Sequence, residues 1–169
     1  GVLFMLIVLP FTFIQFFYAP WLEEQNRARA PRTLADDISR HVILTQFDAI
    51  TLNLVEKFNQ YGIPNVILIA DLQQALNLHE TGLNVVLGEL DDPETYNRLR
   101  IHDAAMVVVM NEDVSSTNII FTIREVSDKV LIVTNADQED SVDILDLAGS
   151  SRTFQFTKML GQVLARRVL

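Results

Sequence analysis

The residues that could do chemistry in this sequence are mainly carboxylates that come shortly after apolar runs. Asp48 and Asp71 each follow such a run, and Glu112 and Asp113 follow another. The chain contains no cysteine, which excludes a disulfide framework, a thiolate metal site and a cysteine nucleophile. No Ser-His-Asp order and no paired-carboxylate site stands out, so we do not expect an enzyme. The three histidines are too scattered along the chain to predict a zinc site: His41, His79 and His102.

The charge balance limits the kinds of partner. The 169 residues include 13 Lys and Arg against 22 Asp and Glu, which gives a net charge of −9. Binding to nucleic acid needs Lys and Arg clustered on one face, so we expect no nucleic-acid partner. The length suits one domain of ordinary size with a real hydrophobic core.

A dinucleotide would bind at the turn that follows the apolar run at residues 41–45. A G-x-G-x-x-G fingerprint is expected there, but Gln46, Asp48 and Thr51 stand in place of the glycines. Side chains at these positions block close approach of the backbone, and Asp48 would place a negative charge where a phosphate would lie. Asp71 has the spacing of a ribose partner, although we favour its interpretation as a helix N-cap. The sequence therefore predicts no pyrophosphate cradle, and an adenine nucleotide would need another pose.

Short apolar runs alternate with amphipathic stretches from residue 41 onward. Such apolar strands are covered on both faces, which indicates a parallel sheet with helices on either side. We expect an α/β, Rossmann-like, doubly wound fold with strand order 3-2-1-4-5-6 and any ligand above the switch between strands 1 and 4. The predicted strands are 41–45, 65–70, 84–88, 104–110, 129–134 and 152–156. The predicted helices are 48–61, 71–79, 93–99, 113–126, 138–147 and 157–169.

Residues 1–22 contain no charged side chain. As a helix this segment would span about 33 Å, enough for a hydrocarbon core of about 30 Å. We therefore predict a transmembrane helix in contact with lipid, with Tyr18 and Trp21 at an interface and Pro20 at its end. A signal peptide and a buried core helix fit less well, because the run is long and lacks a basic start and a small-x-small site. The positive-inside rule puts the arginines that follow on the cytoplasmic side: Arg27, Arg29 and Arg32.

Residues 23–40 form a polar linker that includes Pro31 and has no apolar period, and a tether is favoured there over the alternative of a short helix. Gly1 is not an initiator methionine. We therefore expect the chain to be a piece of a longer protein with further membrane segments upstream. The predicted organisation is a transmembrane helix at 1–22, a linker at 23–40 and one domain at 41–169.

Four motifs in the domain carry a resemblance to a known family. They are HVILT at 41–45, VVLGELDDPE at 85–94, AAMVVVMNEDVSSTN at 104–118 and DILDLAGSSRTFQF at 143–156. In this order and spacing they resemble the RCK domain (regulator of K⁺ conductance), also called the TrkA-N domain of potassium-uptake systems. The resemblance covers about residues 41–169, with Glu89 in place of the family's usual Asp. The apolar segment that ends in YAPW resembles the pore-lining inner helix of a two-helix potassium channel subunit.

The resemblance implies a gating role. RCK domains of several subunits form a cytoplasmic ring, and the tether pulls on the inner helices to open or close a K⁺ pore. The implied protein is a homo-oligomer, a tetrameric channel in the plasma membrane of a prokaryote, with K⁺ as the transported ion and the domain in the cytoplasm. The alternatives are a soluble TrkA-like, nucleotide-sensing regulator of a K⁺ transporter and, less fitting, an NAD-dependent oxidoreductase.

The resemblance also implies regulatory ligands. Family members bind NAD or an adenine nucleotide, and the family's pocket positions here are Gln46, Phe47, Asp48, Asp71, Glu89 and Met110. Some members sense Ca²⁺ through acids after strands 4 and 5, where this chain has Met110, Asn135 and Asp137. One carboxylate is too few for Ca²⁺. Glu112 and Asp113 could add to an acidic metal cluster with Asp137, but we favour their role in the first turn of a helix. No cofactor is expected to be required.

The predicted helix 113–126 carries two apolar stripes. Ile119, Ile123 and Val126 share one face at the helical period, and Val114 and Phe121 fall on nearly the opposite side. A surface helix needs only one such stripe, so we expect one to face the sheet and the other a neighbouring subunit. In the alternative, the second stripe lies under a loop or the last helix. The candidate interface residues are Val114, Ile119, Phe121 and Ile123.

Overall fold

A computed structural model describes residues 1–168 of the chain. Leu169, the last residue of the helix predicted over 157–169, lies outside the described residues. The domain is built on six parallel strands in the order β3-β2-β1-β4-β5-β6, which confirms the predicted sheet. The strands are β1 (Val42–Leu44), β2 (Asn65–Ile69), β3 (Val85–Leu87), β4 (Met106–Val109), β5 (Leu131–Asn135) and β6 (Arg152–Phe154).

Helices cover the sheet on both sides. The N-terminal region contains α1 (Val2–Phe13), a π-helical turn (Ile14–Tyr18) and α2 (Ala19–Arg29). The domain contains α3 (Ala49–Gln60), α4 (Leu72–Glu80), α5 (Pro93–Arg98), α6 (Asp113–Val126), α7 (Ser141–Ala148) and α8 (Phe156–Val168). A 3₁₀ turn at Ile101–Asp103, which the apolar pattern did not predict, connects α5 to β4.

Neighbouring residues of each strand supply two separate cores. In β1, Ile43 packs into the core on the side of α5, α6 and α7, whereas Val42 and Leu44 pack into the core on the side of α3 and α4. Both faces are apolar because both are covered, which explains why the strands read as continuous apolar runs. In the central pairing, Val42 lies beside Asn65 of β2 and Met106 of β4, so the carboxyl ends of these strands meet at one edge.

The N-terminal helix is longer than predicted. Pro20 was expected to end it, and this is wrong, because helical segments of 12, 5 and 11 residues follow one another from Val2 to Arg29. A proline lacks the N–H of an α-helical bond and its ring clashes with the carbonyl of the preceding turn. The π turn widens the helix before Pro20, and the Ala19 N–H reaches Ile14 O. By length and composition, Phe4–Leu22 could cross a membrane.

Residues 30–40, which we call the junction segment, lie against the domain. The sequence predicted a tether here, and the structure shows that the segment is docked, because Ala30 and Leu34 are buried. The Leu87 N–H of the edge strand β3 donates to Pro31 O at 2.7 Å, so the segment also covers part of an open sheet edge. The polar composition hid this docking, since only a few apolar side chains anchor the segment.

Candidate functional site

The turn between β1 and α3 is filled by its own side chains. Asp48 is the N-cap of α3, and its Oδ1 accepts a hydrogen bond from the Thr51 N–H at 2.7 Å. Phe47 is half-buried and packs against the core beneath α3 and α4, as does Met110 beyond the end of β4. Three of the predicted pocket positions therefore serve the helix start and the core. Gln46 beside them is partly buried.

The ends of β1 and β4 are tied together above the switch point. Thr45 Oγ1 donates to Asn111 Oδ1 at 2.7 Å, and the Thr45 N–H donates to Val108 O at 3.1 Å. Ser116, buried in α6, holds the loop in place by donating to Asn111 O at 2.7 Å. The Thr45 and Ser116 hydroxyls and the Asn111 side-chain oxygen are thus hydrogen-bonded within the protein.

Asp71 caps the helix that follows β2. Its Oδ1 accepts a hydrogen bond from the Gln74 N–H at 2.7 Å, and the residue is exposed. This is the N-cap that we favoured from the sequence. A ribose hydroxyl would have to share the carboxylate with the start of α4.

A cavity of about 230 Å³ lies at the carboxyl ends of β2 and β3. Arg32 of the junction segment and Arg98 of α5 line it, together with Gly88 and the exposed Glu89, a predicted pocket residue. The Arg98 Nε is buried and has no hydrogen-bond partner, although its Nη2 donates to Thr95 Oγ1 at 3.0 Å. Two guanidinium groups and one carboxylate could receive a small polar ligand here.

Gly88 is the residue that lets β3 approach α5 this closely. A Cβ atom at this position would lie 2.6 Å from Cγ2 and 2.9 Å from Oγ1 of Thr95, which is fully buried. The glycine of the VVLGELDDPE motif is therefore required by packing, and only a side chain of no volume fits there.

In the predicted acidic cluster of Glu112, Asp113 and Asp137, Asp113 binds the backbone of the loop between β5 and α7. Asp113 accepts hydrogen bonds from the N–H groups of Asp137 (2.8 Å) and Gln138 (3.1 Å), which ties α6 to the β5–α7 connection. Burial alone would raise the pKa of Asp113, but these amides and a hydrogen bond from Ser141 together lower it. Glu112 accepts from the Ser115 hydroxyl at 3.3 Å. Among the residues that the structure describes, no group of three or more His, Asp or Glu side chains could hold a metal ion.

The two stripes of α6 have different environments. Ile119 and Ile123 are buried in the core, so these two candidate interface residues face the sheet and not a neighbour. Val114 is 71% exposed and Phe121 52% exposed. The adjacent α7 adds two exposed apolar side chains that the sequence analysis did not single out: Ile144 and Leu147.

A model of the TrkA-N domain matches residues 42–155, about two thirds of the chain. The chain belongs to the TrkA-N family. Among solved structures, the GsuK channel bound to NAD is 30% identical, with a TM-score of 0.76 over 97% of this chain and 30% of that chain. The GsuK RCK domain is 27% identical, with a TM-score of 0.75 over 86% of this chain and 32% of that chain. Another GsuK structure is bound to ADP, and the chain spans 44% of its length at 30% identity and a TM-score of 0.76.

Solved structures with lower sequence identity support only the assignment of the fold. The TrkA-N domain of inner membrane protein ybaL from Escherichia coli is 19% identical, with a TM-score of 0.71 over 79% of this chain and 99% of that one. No curated protein matches the chain. The resemblance to TrkA-N and RCK domains is thus confirmed, and the chain contains a domain of this family. The chain spans less than half the length of the matching GsuK chains.

A nucleotide at the crevice of a TrkA-N domain would place its pyrophosphate at the start of α3. Here the Thr51 N–H already binds the Asp48 carboxylate, whose negative charge opposes a phosphate. Phe47 and Met110 take up space at the same edge of the sheet. The residues at this turn therefore do not fit a pyrophosphate.

Arg32 and Arg98 are the possible ligand-binding residues that sequence reasoning missed. They lie 66 positions apart in the sequence, and only the docking of the junction segment brings them to one cavity. Nothing in the spacing of either arginine signals this arrangement.

Proposed function

We propose that this chain couples conformational change in a cytoplasmic ring of TrkA-N domains to a K⁺ pore. In this proposal residues 1–22 are the pore-lining transmembrane helix, 23–40 the connection and 41–169 the regulatory domain. The observation that carries it is the unbroken helix from Val2 to Arg29, which extends the apolar segment to the junction segment docked on the family domain. The match to the GsuK channel supports it, because that match includes 97% of this chain and thus the N-terminal helix.

Potassium transport is the direct test. Lipid vesicles that contain the full-length protein should show K⁺ flux, and vesicles prepared without the protein should not. A purified, oligomeric protein that carries no K⁺ under any tested ionic condition would contradict the proposal. The rival, a soluble TrkA-like regulator, predicts flux only when a separate transporter is added.

Membrane attachment separates the same two functions. The side chains along Phe4–Leu22 are exposed, and no part of this segment is buried against the domain. We therefore expect the chain to stay with the membrane fraction after a carbonate wash. Release into the wash would favour the soluble regulator.

The sidedness of the domain can be measured with an introduced thiol, because residues 1–169 contain no cysteine, and the protein without that thiol is the control. A single Thr81→Cys change puts a thiol on an exposed turn of the domain. If the domain is cytoplasmic, a membrane-impermeant maleimide should label this residue only after the cells are opened. Labelling of intact cells would place the domain outside.

Assembly into a ring is assigned to the exposed face of α6 and α7. Val114 and Ile144 line one depression between the two helices, and Phe121 and Leu147 extend the apolar surface. Phe121→Glu should shift the chain toward monomer in sedimentation. Tyr61→Glu is the matched control, because Tyr61 is an exposed aromatic at the end of α3, away from this face. Equal oligomers for both variants would refute the assignment.

We propose that the domain serves mainly to transmit movement and to assemble the ring, and that it requires no nucleotide. The side chains at the β1–α3 turn support this, whereas the NAD-bound and ADP-bound GsuK structures favour an adenine nucleotide or NAD as a regulatory ligand. Calorimetric titration with NAD, ADP and ATP decides between them. Binding below about 1 μM, equivalent to about −8 kcal/mol, would overturn the nucleotide-free proposal.

A further inference from the structure

Arg100 lies at the point where the junction segment meets the domain. Its Nη1 donates to the backbone carbonyls of Ala35 (3.4 Å) and Asp36. On its other side, Nε and Nη2 donate to Asp103 Oδ2 at 3.2 and 2.8 Å, so a carboxylate of the domain orients the guanidinium. One planar group therefore connects the junction segment to the 3₁₀ turn after α5.

Backbone hydrogen bonds lie on both sides of this contact. The Leu34 N–H donates to Arg98 O at 3.3 Å, and the Arg40 N–H donates to Asp103 O at 2.7 Å. Leu34 itself is buried in the core beside α5 and α6. Residues 34–40 of the junction segment are thus attached to the end of α5 and to the connection between α5 and β4.

Arg100 has a backbone conformation that is uncommon for a residue other than glycine. Arg40 and Arg100, with φ of 54° and 53°, are the two non-glycine residues with positive φ in the part of the chain that the structure describes. Glycine adopts this left-handed conformation without steric penalty, and an arginine does not. A strained backbone of this kind persists where other contacts hold it in place. At Arg100 those contacts include two carbonyls and a carboxylate that a glycine would leave unbound.

We propose that Arg100 is the positioning residue that fastens the junction segment to the domain, so that a displacement of the domain is transmitted to the N-terminal helix without loss in the junction segment. This inference rests on the proposed function for its transmission role. Its place in the fold fits that role, because Arg98, the last residue of α5, lines the cavity at the end of β3 and lies two positions before Arg100. Tyr96 of α5 is fully buried and donates to Leu90 O at 2.7 Å, which fixes α5 to the domain.

Arg100→Gly is the informative variant, since it removes the guanidinium and suits the observed φ. Arg40→Gly is the matched control, because it changes the same residue type at the same φ. The Arg40 side chain has no hydrogen bond or ion pair among the described side chains. Arg100→Lys keeps the charge but cannot form the same fork of hydrogen bonds.

Hydrogen exchange of the whole chain in detergent measures the attachment. The reporters are the amides of Leu34 and Ile38, and the amides of Ile43 and Val107 in the sheet show that the domain remains folded. Arg100→Gly should speed exchange at the reporters about tenfold, with Arg100→Lys between it and wild type. Arg40→Gly should change exchange less than about threefold. Unchanged exchange in Arg100→Gly would overturn the proposal.

Transmission is measured separately, as basal K⁺ flux of the full-length protein in vesicles at equal amounts of inserted protein. Arg100→Gly should change the flux, and Arg40→Gly should leave it at the wild-type value. Faster exchange with unchanged flux would overturn the transmission role of Arg100. An absence of flux in wild type would contradict the proposed function and the transmission role with it, whereas exchange would still decide whether Arg100 fastens the segment.

Discussion

The packing of Gly88 against Thr95 makes a quantitative prediction about the end of β3. In Gly88→Ala the new methyl group would lie 2.6 Å from Thr95 Cγ2 and 3.3 Å from Leu68 Cδ1. Thr95 and Leu68 are both fully buried, so neither can move into solvent. Overpacking of this kind lowers the free energy of unfolding by about 1–3 kcal/mol. For a chain of this size, each kcal/mol corresponds to a fall in Tm of about 2–4 °C.

Thermal and urea unfolding of the chain in detergent would measure the effect. Gly161→Ala in α8 is the matched control, because no atom lies within 4 Å of a Cβ at that position. There the same substitution should be neutral or should raise stability by about 0.5–1 kcal/mol, as alanine is the better helix former.

A double-mutant cycle tests the cause. Thr95→Ala removes both of the atoms closest to the new methyl group, so it should recover part of the stability lost in Gly88→Ala. The coupling energy should favour the double variant by about 1 kcal/mol or more. If Gly88→Ala unfolds like wild type, or the two changes are additive, steric contact is not the reason for the glycine.

Two further predictions concern buried titratable groups. Tyr96→Phe should lower stability by about 1 kcal/mol in urea unfolding, because Leu90 O loses its donor. Burial, with a smaller contribution from Asp91, raises the pKa of Tyr96, so the wild-type stability should be complete below about pH 10 and fall above it, and Tyr96→Phe should flatten that slope. Burial also lowers the pKa of His41, whose Nε2 lies 2.9 Å from Leu99 O. The neutral His41 therefore contributes stability that should be present above about pH 6.5 and should be lost as the pH falls. His41→Gln should reduce the change in urea midpoint between pH 7 and 5, whereas His102→Gln, at an exposed histidine, should not.

The sheet was predictable because local pattern and tertiary environment agree. Each strand is covered on both faces, so its apolar run is visible without knowledge of its neighbours. Asp48, Asp71 and Asp92 each start a helix as its N-cap, so the helix starts agree with local side-chain chemistry. The π turn was not predictable, since sequence rules read Pro20 as a helix end and do not include a local widening of the helix.

The candidate site was predictable only where a side chain bonds to groups that are close to it in the sequence. The capping roles of Asp48 and Asp71 depend on amides three residues away, and both could be inferred. The contact from Arg100 to the Asp36 carbonyl joins residues 64 positions apart, and it involves a backbone atom that every residue carries. No pattern of residue types can indicate such a contact, because it depends on the tertiary path of the junction segment.

The helical and docked connection between the apolar segment and the domain has a mechanical consequence. A helix from Val2 to Arg29 is about 42 Å long, which exceeds a hydrocarbon core of about 30 Å by roughly two turns. Under the proposed function, those extra turns leave the membrane as helix and end where Ala30 is buried against the domain. A flexible tether of the same number of residues would absorb a displacement of a few ångströms as a change in its end-to-end distance. Under the proposed function, a helix fixed at a docked junction transmits that displacement instead, and the attachment by Arg100, rather than the length of the linker, would set how much movement reaches the pore.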